Sequence, residues 1–322
     1  MMLVLSIFTS CFISDPPEPN ERVKIRIGYM AGPTGMGMAK LIHDNGGMEG
    51  NDNYVFTKYA DTGAAKADLA AGKIDVICLP TNEAAVYAAK VDNNARVLAI
   101  NCLNSLYFIT DANSDVDQLS DLEGQTVYTC KNGTPRTILE HIIKELGLNI
   151  TVSYEIDGKE ILTPADLSAQ VIAGNLPNAV MPEPLVTSSL LKINSAFQQT
   201  GIKWAVKADL ADSWSSIYST PITMGCILAN GNFVSENDQS VRLFLEEYKA
   251  SIEYVGNPEN LASAADYVVE TGVMAAAGPA KSALTNLGNA ISYIAGAEMK
   301  STLIAFYQAI GIALPSDSFY YE

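Results

Sequence analysis

Histidine is nearly absent from this chain of 322 residues: His43 and His141 are its two histidines, and both fall in amphipathic helical patterns. Histidine-based acid–base chemistry and histidine-rich metal sites are therefore disfavoured. Basic residues are also scarce. Lys and Arg number 20 against 36 Asp and Glu, a formal charge of −16. Phosphate backbones repel such a surface, which excludes nucleic acid as a partner. There are five cysteines and no C-x-x-C spacing, so zinc and dithiol redox motifs are missing. Cys78, Cys102, Cys130 and Cys226 sit in apolar, strand-like runs, where cysteine behaves as a small hydrophobe, so buried free thiols are expected. G-x-S-x-G and H-E-x-x-H are absent, and no lysine and hydroxyl follow the glycines of Gly32-Pro33-Thr34-Gly35-Met36-Gly37, which disfavours nucleotide hydrolysis. No segment after Cys11 is long and apolar enough to span a bilayer. No Lys or Arg precedes Cys11, although an export signal ordinarily opens on a basic segment.

What is present begins at Cys11. It ends the apolar run Leu3-Val4-Leu5-Ser6-Ile7-Phe8-Thr9-Ser10 and is followed by Ser14-Asp15-Pro16-Pro17-Glu18-Pro19-Asn20. That order reads as a lipoprotein signal and tether over residues 1–20, with Cys11 as the lipidated residue. The prolines argue against a buried strand there. The expected location is extracytoplasmic, lipid-anchored on the outer face of the cell membrane or periplasmic. Two or more acyl chains on Cys11 would supply stable attachment.

Strands and helices then alternate. Apolar runs around 23–29, 54–59, 74–79 and 97–101 are separated by helical patterns, which is the βαβ grammar of a mostly parallel sheet covered by helices. The grammar restarts after Ser120-Asp121-Leu122-Glu123-Gly124, and from about Glu236 to Gly311 the pattern reads as almost wholly helical. Two α/β units and a returning tail predict two lobes, residues 21–105 plus 222–322 and residues 106–221, with a ligand cleft between them. Ligands of open α/β sheets sit beyond the carboxyl ends of strands.

The loops at those ends carry the candidate site. Thr34, Gly35 and Met36 lie where a strand turns into a helix, with glycine allowing close approach and free N–H groups facing outward. Gly133 and Thr134 occupy the equivalent place in the second unit, with Pro135 suited to a first helical turn. Thr81, Asn82 and Glu83 follow one apolar strand and Glu183 follows another, so each lobe brings a carboxylate to the cleft. A glycosidase pair is disfavoured because no saccharide-binding aromatic track accompanies it. The two carboxylates suggest instead a ligand with donor groups, such as a pyrimidine-like heterocycle. Asn104 near the first crossing can donate or accept. Met224 and Gly225 lie in the returning strand, where glycine would spare room, and Tyr59 at a strand end is a candidate for stacking. No catalytic residue, metal or cofactor is expected.

These segments together resemble a known family. Gly32-Pro33-Thr34-Gly35-Met36-Gly37, Ala71-Gly72-Lys73-Ile74-Asp75-Val76, Leu122-Glu123-Gly124-Gln125-Thr126-Val127, Met181-Pro182-Glu183-Pro184 and Phe244-Leu245-Glu246-Glu247-Tyr248 with Ser251-Ile252 appear in the order found in substrate-binding lipoproteins of ABC importers, in the nitrate/taurine/sulfonate and thiamine-precursor (NitT/TauT-like) group. The resemblance spans nearly all of the chain after Cys11. It implies an α/β, type II periplasmic-binding-protein fold, a monomer that closes on a small-molecule solute and docks on ABC permease subunits, and no enzymatic activity. A pyrimidine-precursor biosynthetic enzyme on the same scaffold, or a sensor ectodomain, are the alternatives.

Overall fold

The computed structural model describes residues 22–322. Cys11 and its tether, the expected lipid attachment, lie outside the described residues. The chain begins with β1 (Ile25–Met30), α1 (Pro33–Met36), α2 (Ala39–Asp44), β2 (Tyr54–Tyr59), α3 (Thr62–Ala70), β3 (Val76–Pro80), α4 (Thr81–Lys90) and β4 (Ala95–Leu103). It continues through β5 (Leu106–Asp111), β6 (Thr126–Tyr128), α5 (Thr134–Glu145), β7 (Thr151–Ser153), β8 (Glu155–Ile156), β9 (Lys159–Glu160), α6 (Pro164–Ile172), β10 (Asn178–Pro182), α7 (Leu185–Ser195), α8 (Phe197–Thr200), β11 (Trp204–Asp209) and α9 (Leu210–Ser215). The last part holds β12 (Thr223–Asn230), α10 (Gly231–Glu236), α11 (Asp238–Gly256), α12 (Leu261–Glu270), α13 (Ala277–Leu287), β13 (Ile291–Ile294) and α14 (Gly296–Ala309).

Two separate sheets organise these elements. The larger has the order β13-β4-β12-β3-β1-β2. Here β1 pairs in parallel with β2 and β3, while β12 runs antiparallel to β3 and β4, and β13 antiparallel to β4. Thus β1 to β4 share one direction. The smaller sheet has the order β10-β5-β11, antiparallel throughout. Its middle strand, β5, arrives straight from β4 with no helix between, so it enters against both neighbours. The parallel pair β6–β7 is tied to β10 through Asn178, whose Nδ2 donates to the Thr126 carbonyl at 3.0 Å.

The apolar runs are buried on both faces because successive strand residues point to opposite sides. In β3, Val76 and Cys78 join the cluster formed with α2, α11, α12 and α13, while Ile77 and Leu79 join the cluster on the other face. That second cluster is continuous across the two sheets: Leu79 and Ile100 share it with Phe108, Val180, Trp214 and Phe306. In β10, Val180 faces it, whereas Ala179 and Met181 pack with Leu167 and Val186 of α6 and α7.

The tail is almost wholly helical, as its pattern predicts; within it the short β13 pairs with β4 at the edge of the larger sheet. Its four residues, Ile-Ser-Tyr-Ile, are too few to interrupt the helical periodicity on either side, and the strand exists because β4 offers an edge. Cys78, Cys102, Cys130 and Cys226 are free and buried. Burial pushes the thiols of Cys102, Cys130 and Cys226 up to about 12.

The chain passes between the sheets at two places, 104–105 and 221–222, and these are stapled together. Asn104 N donates to the Ile222 carbonyl and Ile222 N donates to Asn104 Oδ1, each at 3.0 Å. Asn104 takes a positive φ of 40°, which asparagine tolerates better than most residues. It is a crossover residue, and its side-chain oxygen is committed to the backbone rather than free for a ligand.

Candidate ligand cleft

A cavity of about 1130 Å³ opens between the two sheets. Its walls are the strand-to-helix loops of both. On the first lobe, β3 ends at Pro80 and α4 starts at Thr81 with no side chain capping it. On the second, α5 starts at Thr134, and the preceding Gly133 has φ 91° and ψ −172°, a conformation that glycine alone adopts freely. It too lacks a side-chain cap. The first N–H groups of a helix have no partner within it and carry partial positive charge. These two starts meet across the cleft: Thr134 Oγ1 donates to Asn82 Oδ1 at 2.9 Å.

Thr34, Asn82, Glu83, Gly133, Thr134, Glu183 and Met224 reach the cavity wall. The other expected residues lie behind it. Gly35 packs α1 onto β1, where an added Cβ would stand 2.4 Å from the Met30 carbonyl oxygen. Met36 is wholly buried among Ile25, Ile27 and Phe244. Tyr59 donates its hydroxyl to Asp68 Oδ2 at 2.9 Å. Thr81 is wholly buried, with its carbonyl accepting from Tyr307 Oη at 3.1 Å. Gly225 sits beneath Thr34 and supports the loop rather than the ligand.

The carboxylates differ from expectation more sharply. One of the two was expected to accept hydrogen bonds from a ligand, and both already have protein partners. Glu83 Oε2 lies 2.5 Å from Lys66 Nζ. Glu183 is 2% exposed and serves the start of α7: Thr187 N donates to Oε2 at 3.1 Å and Thr187 Oγ1 to Oε1 at 2.8 Å. Asn286 of α13 adds a donor from the first lobe, with Nδ2 at 3.3 Å from Glu183 Oε1 and 2.9 Å from Thr187 Oγ1. Glu183 is thus part of a contact between lobes. Lys66 and Asn286 had no local signal, since they lie 17 and 103 residues from the carboxylates they meet.

Burial pushes the Glu183 carboxyl above its ordinary range, against the opposing pull of Thr187 and Asn286. The unfolded chain therefore ionises this group at a lower pH than the folded chain does. Between the two values the folded state holds more protons, so stability falls as pH rises through that window. Glu183→Gln is expected to flatten this part of the pH–Tm curve, and an unchanged slope would show that another group causes it.

Charge on the wall is balanced, in contrast to the acidic chain as a whole. Lys66, Lys90, Lys131 and Arg136 face Asp61, Glu83, Glu140 and Glu183. Lys131 pairs with Glu160, and Arg136 Nε with Glu140 Oε1 at 2.8 Å. Between these groups the wall is apolar, with Met30, Pro33, Val86, Tyr87, Leu162 and Met224. Val86 and Leu162, on opposite lobes, are 48% and 43% exposed. No group of His, Cys, Asp and Glu able to hold a metal occurs among the described residues. None of their helices is long and apolar enough to cross a membrane.

No protein-family model matches the sequence, and no curated protein matches it. Solved structures do. An ABC transporter protein from Parabacteroides distasonis superposes with a TM-score of 0.69 at 17% identity, covering 93% of this chain and 99% of that one. The periplasmic aliphatic sulphonate binding protein SsuA from Escherichia coli gives 0.68 at 18%, covering 93% and 92%. The periplasmic nitrate-binding protein NrtA from Synechocystis PCC 6803 gives 0.60 at 13%, covering 87% and 75%. The chain has the fold of these two-lobed periplasmic binding proteins.

Proposed function

We propose that this protein is the extracytoplasmic solute-binding component of an ABC importer, a carrier and not an enzyme, tethered by lipid on Cys11 and delivering its solute to permease subunits. Residues 21–105 plus 222–322 act as one lobe and residues 106–221 as the other. The observation that carries this reading is the cavity between the lobes with two uncapped helix starts facing each other across it. A solute lodged there touches both lobes only when they are shut, so it shifts the hinge equilibrium by its differential affinity.

The wall also narrows the solute. With Glu83 and Glu183 partnered, the helix-start donors and the exposed Lys90 favour an acceptor group on the solute. The apolar surface around them favours an organic body, such as a heteroaromatic ring, over a bare inorganic ion. Micromolar capture requires about −8 kcal/mol. A thermal-shift screen of sulfonates, carboxylates, pyrimidines and vitamin-like heterocycles is expected to yield a stabilising compound that mass spectrometry recovers unchanged. Chemical conversion of that compound would favour the enzyme reading.

A further inference from the structure

We propose that the Lys66–Glu83 ion pair sets which solute charge the cleft accepts. The inference rests on the solute-binding reading above and deepens it. Lys66 on α3 and Glu83 on α4 both line the cavity, with Nζ and Oε2 2.5 Å apart. Their side chains are 27% and 19% exposed, so solvent screens them only partly. Neither has a second hydrogen-bond or ion-pair partner among the described residues.

The other charges on the wall are differently placed. Lys131 and Arg136 are committed to Glu160 and Glu140 within their own lobe. Asp61 Oδ1 caps α3 by accepting from Gly63 N and Ala64 N. Glu183 is held by Thr187 and Asn286. Lys90 is exposed. Two ion pairs have both partners on the wall, Lys66–Glu83 and Arg136–Glu140, and the first is the better shielded, with side chains 27% and 19% exposed against 32% and 42%. With the pair intact the two charges cancel, and the wall presents a local dipole suited to a neutral or zwitterionic group. Removing one partner uncovers the other inside a partly dry cleft, where a charge acts more strongly than in water.

The position of Glu83 adds an asymmetry. It lies in the first turn of α4, which no side chain caps and whose Pro80, Asn82 and Glu83 line the same cavity. Without the Glu83 charge, Lys66 and the helix start act together on an anion. Without Lys66, Glu83 attracts a cation while the helix start opposes it. The gain for an anion in Glu83→Gln is thus larger than the gain for a cation in Lys66→Met.

The test uses phenylmethanesulfonate, benzylammonium and benzyl alcohol as matched anionic, cationic and neutral probes, titrated calorimetrically into the full chain. Glu83→Gln is expected to raise the sulfonate-to-ammonium affinity ratio about tenfold and Lys66→Met to lower it by less. The double variant returns toward the wild-type ratio, and Lys66→Arg leaves it unmoved. A ratio unmoved in both single variants, with benzyl alcohol still binding, overturns this inference alone. Failure of all three probes to bind any of the proteins overturns the solute-binding reading together with it.

Discussion

Combining Asn82→Cys with Thr134→Cys is expected to give a protein whose solute binding is lost on oxidation and regained on reduction. The two native side chains touch across the cleft, with Thr134 Oγ1 and Asn82 Oδ1 2.9 Å apart. They stand at the starts of helices on different lobes, so a bridge between them fixes the lobe separation and fills the space between the open helix starts. A solute that needs to enter between the lobes and then be gripped by both is denied each step. The expected loss is on the order of a hundredfold or more in affinity, about 2.7 kcal/mol. The four native thiols among the described residues do not confuse the result: all are buried, and burial pushes those of Cys102, Cys130 and Cys226 up to about 12, which leaves them almost entirely protonated and slow to exchange. Cys11 is replaced by Ser in both samples. Calorimetry on oxidised and reduced samples checks it. Equal affinity in the two states would place the solute away from these loops.

Gly225→Val is expected to have the next largest effect. Gly225 lies in β12 between Pro80 of β3 and Cys102 of β4. A Cβ built there would stand 2.3 Å from Thr34 Cγ2, 2.7 Å from Asn101 Oδ1 and 3.4 Å from Cys102 Cβ. Asn101 is wholly buried, and its Nδ2 is occupied by Tyr248 Oη at 3.1 Å, so it has little room to withdraw. Thr34, on a loop, is the neighbour that must move. Overpacking of this kind costs about 1–3 kcal/mol. The cost to binding follows from the displaced loop, because Thr34 forms part of the cavity wall. A lower Tm together with an affinity weakened by about tenfold or more is expected. A Tm drop with solute affinity intact would remove Thr34 from the site.

Local pattern carried much of this architecture and little of its long-range wiring. The run Val76-Ile77-Cys78-Leu79 reads as a doubly buried strand because every position is apolar, and it is one. Thr163-Pro164-Ala165-Asp166 announces a helix start, and the capping box is present, with Asp166 N donating to Thr163 Oγ1 at 3.2 Å. The loops at Thr34 and Thr134 looked equivalent by their glycines and prolines. The contact across the cleft nevertheless joins Thr134 to Asn82, a residue grouped by sequence with Glu183. Which loop tip meets which depends on how the lobes sit, and no short-range spacing encodes that. The same holds for Glu183. An apolar strand ending in Pro-Glu-Pro suggests a carboxylate aimed at the cleft, but Asn286 arrives from α13 and Thr187 turns back from α7. The hairpin of β8 and β9 could have been read from Asp157-Gly158, both at positive φ, a turn pair whose twist suits two short strands. By contrast, β13 owes its strand geometry to the edge of β4 and carries almost no signal of its own.

Acting as a carrier requires that one small molecule be gripped simultaneously by both lobes. Hydrogen–deuterium exchange, with and without the most stabilising compound from the solute screen, addresses it most directly. Slower exchange is expected at Asn82, Glu83 and Ala84 of α4 and, in the same sample, at Thr134, Arg136 and Thr137 of α5. Protection confined to one lobe, or appearing only on surfaces away from the cavity, would contradict it.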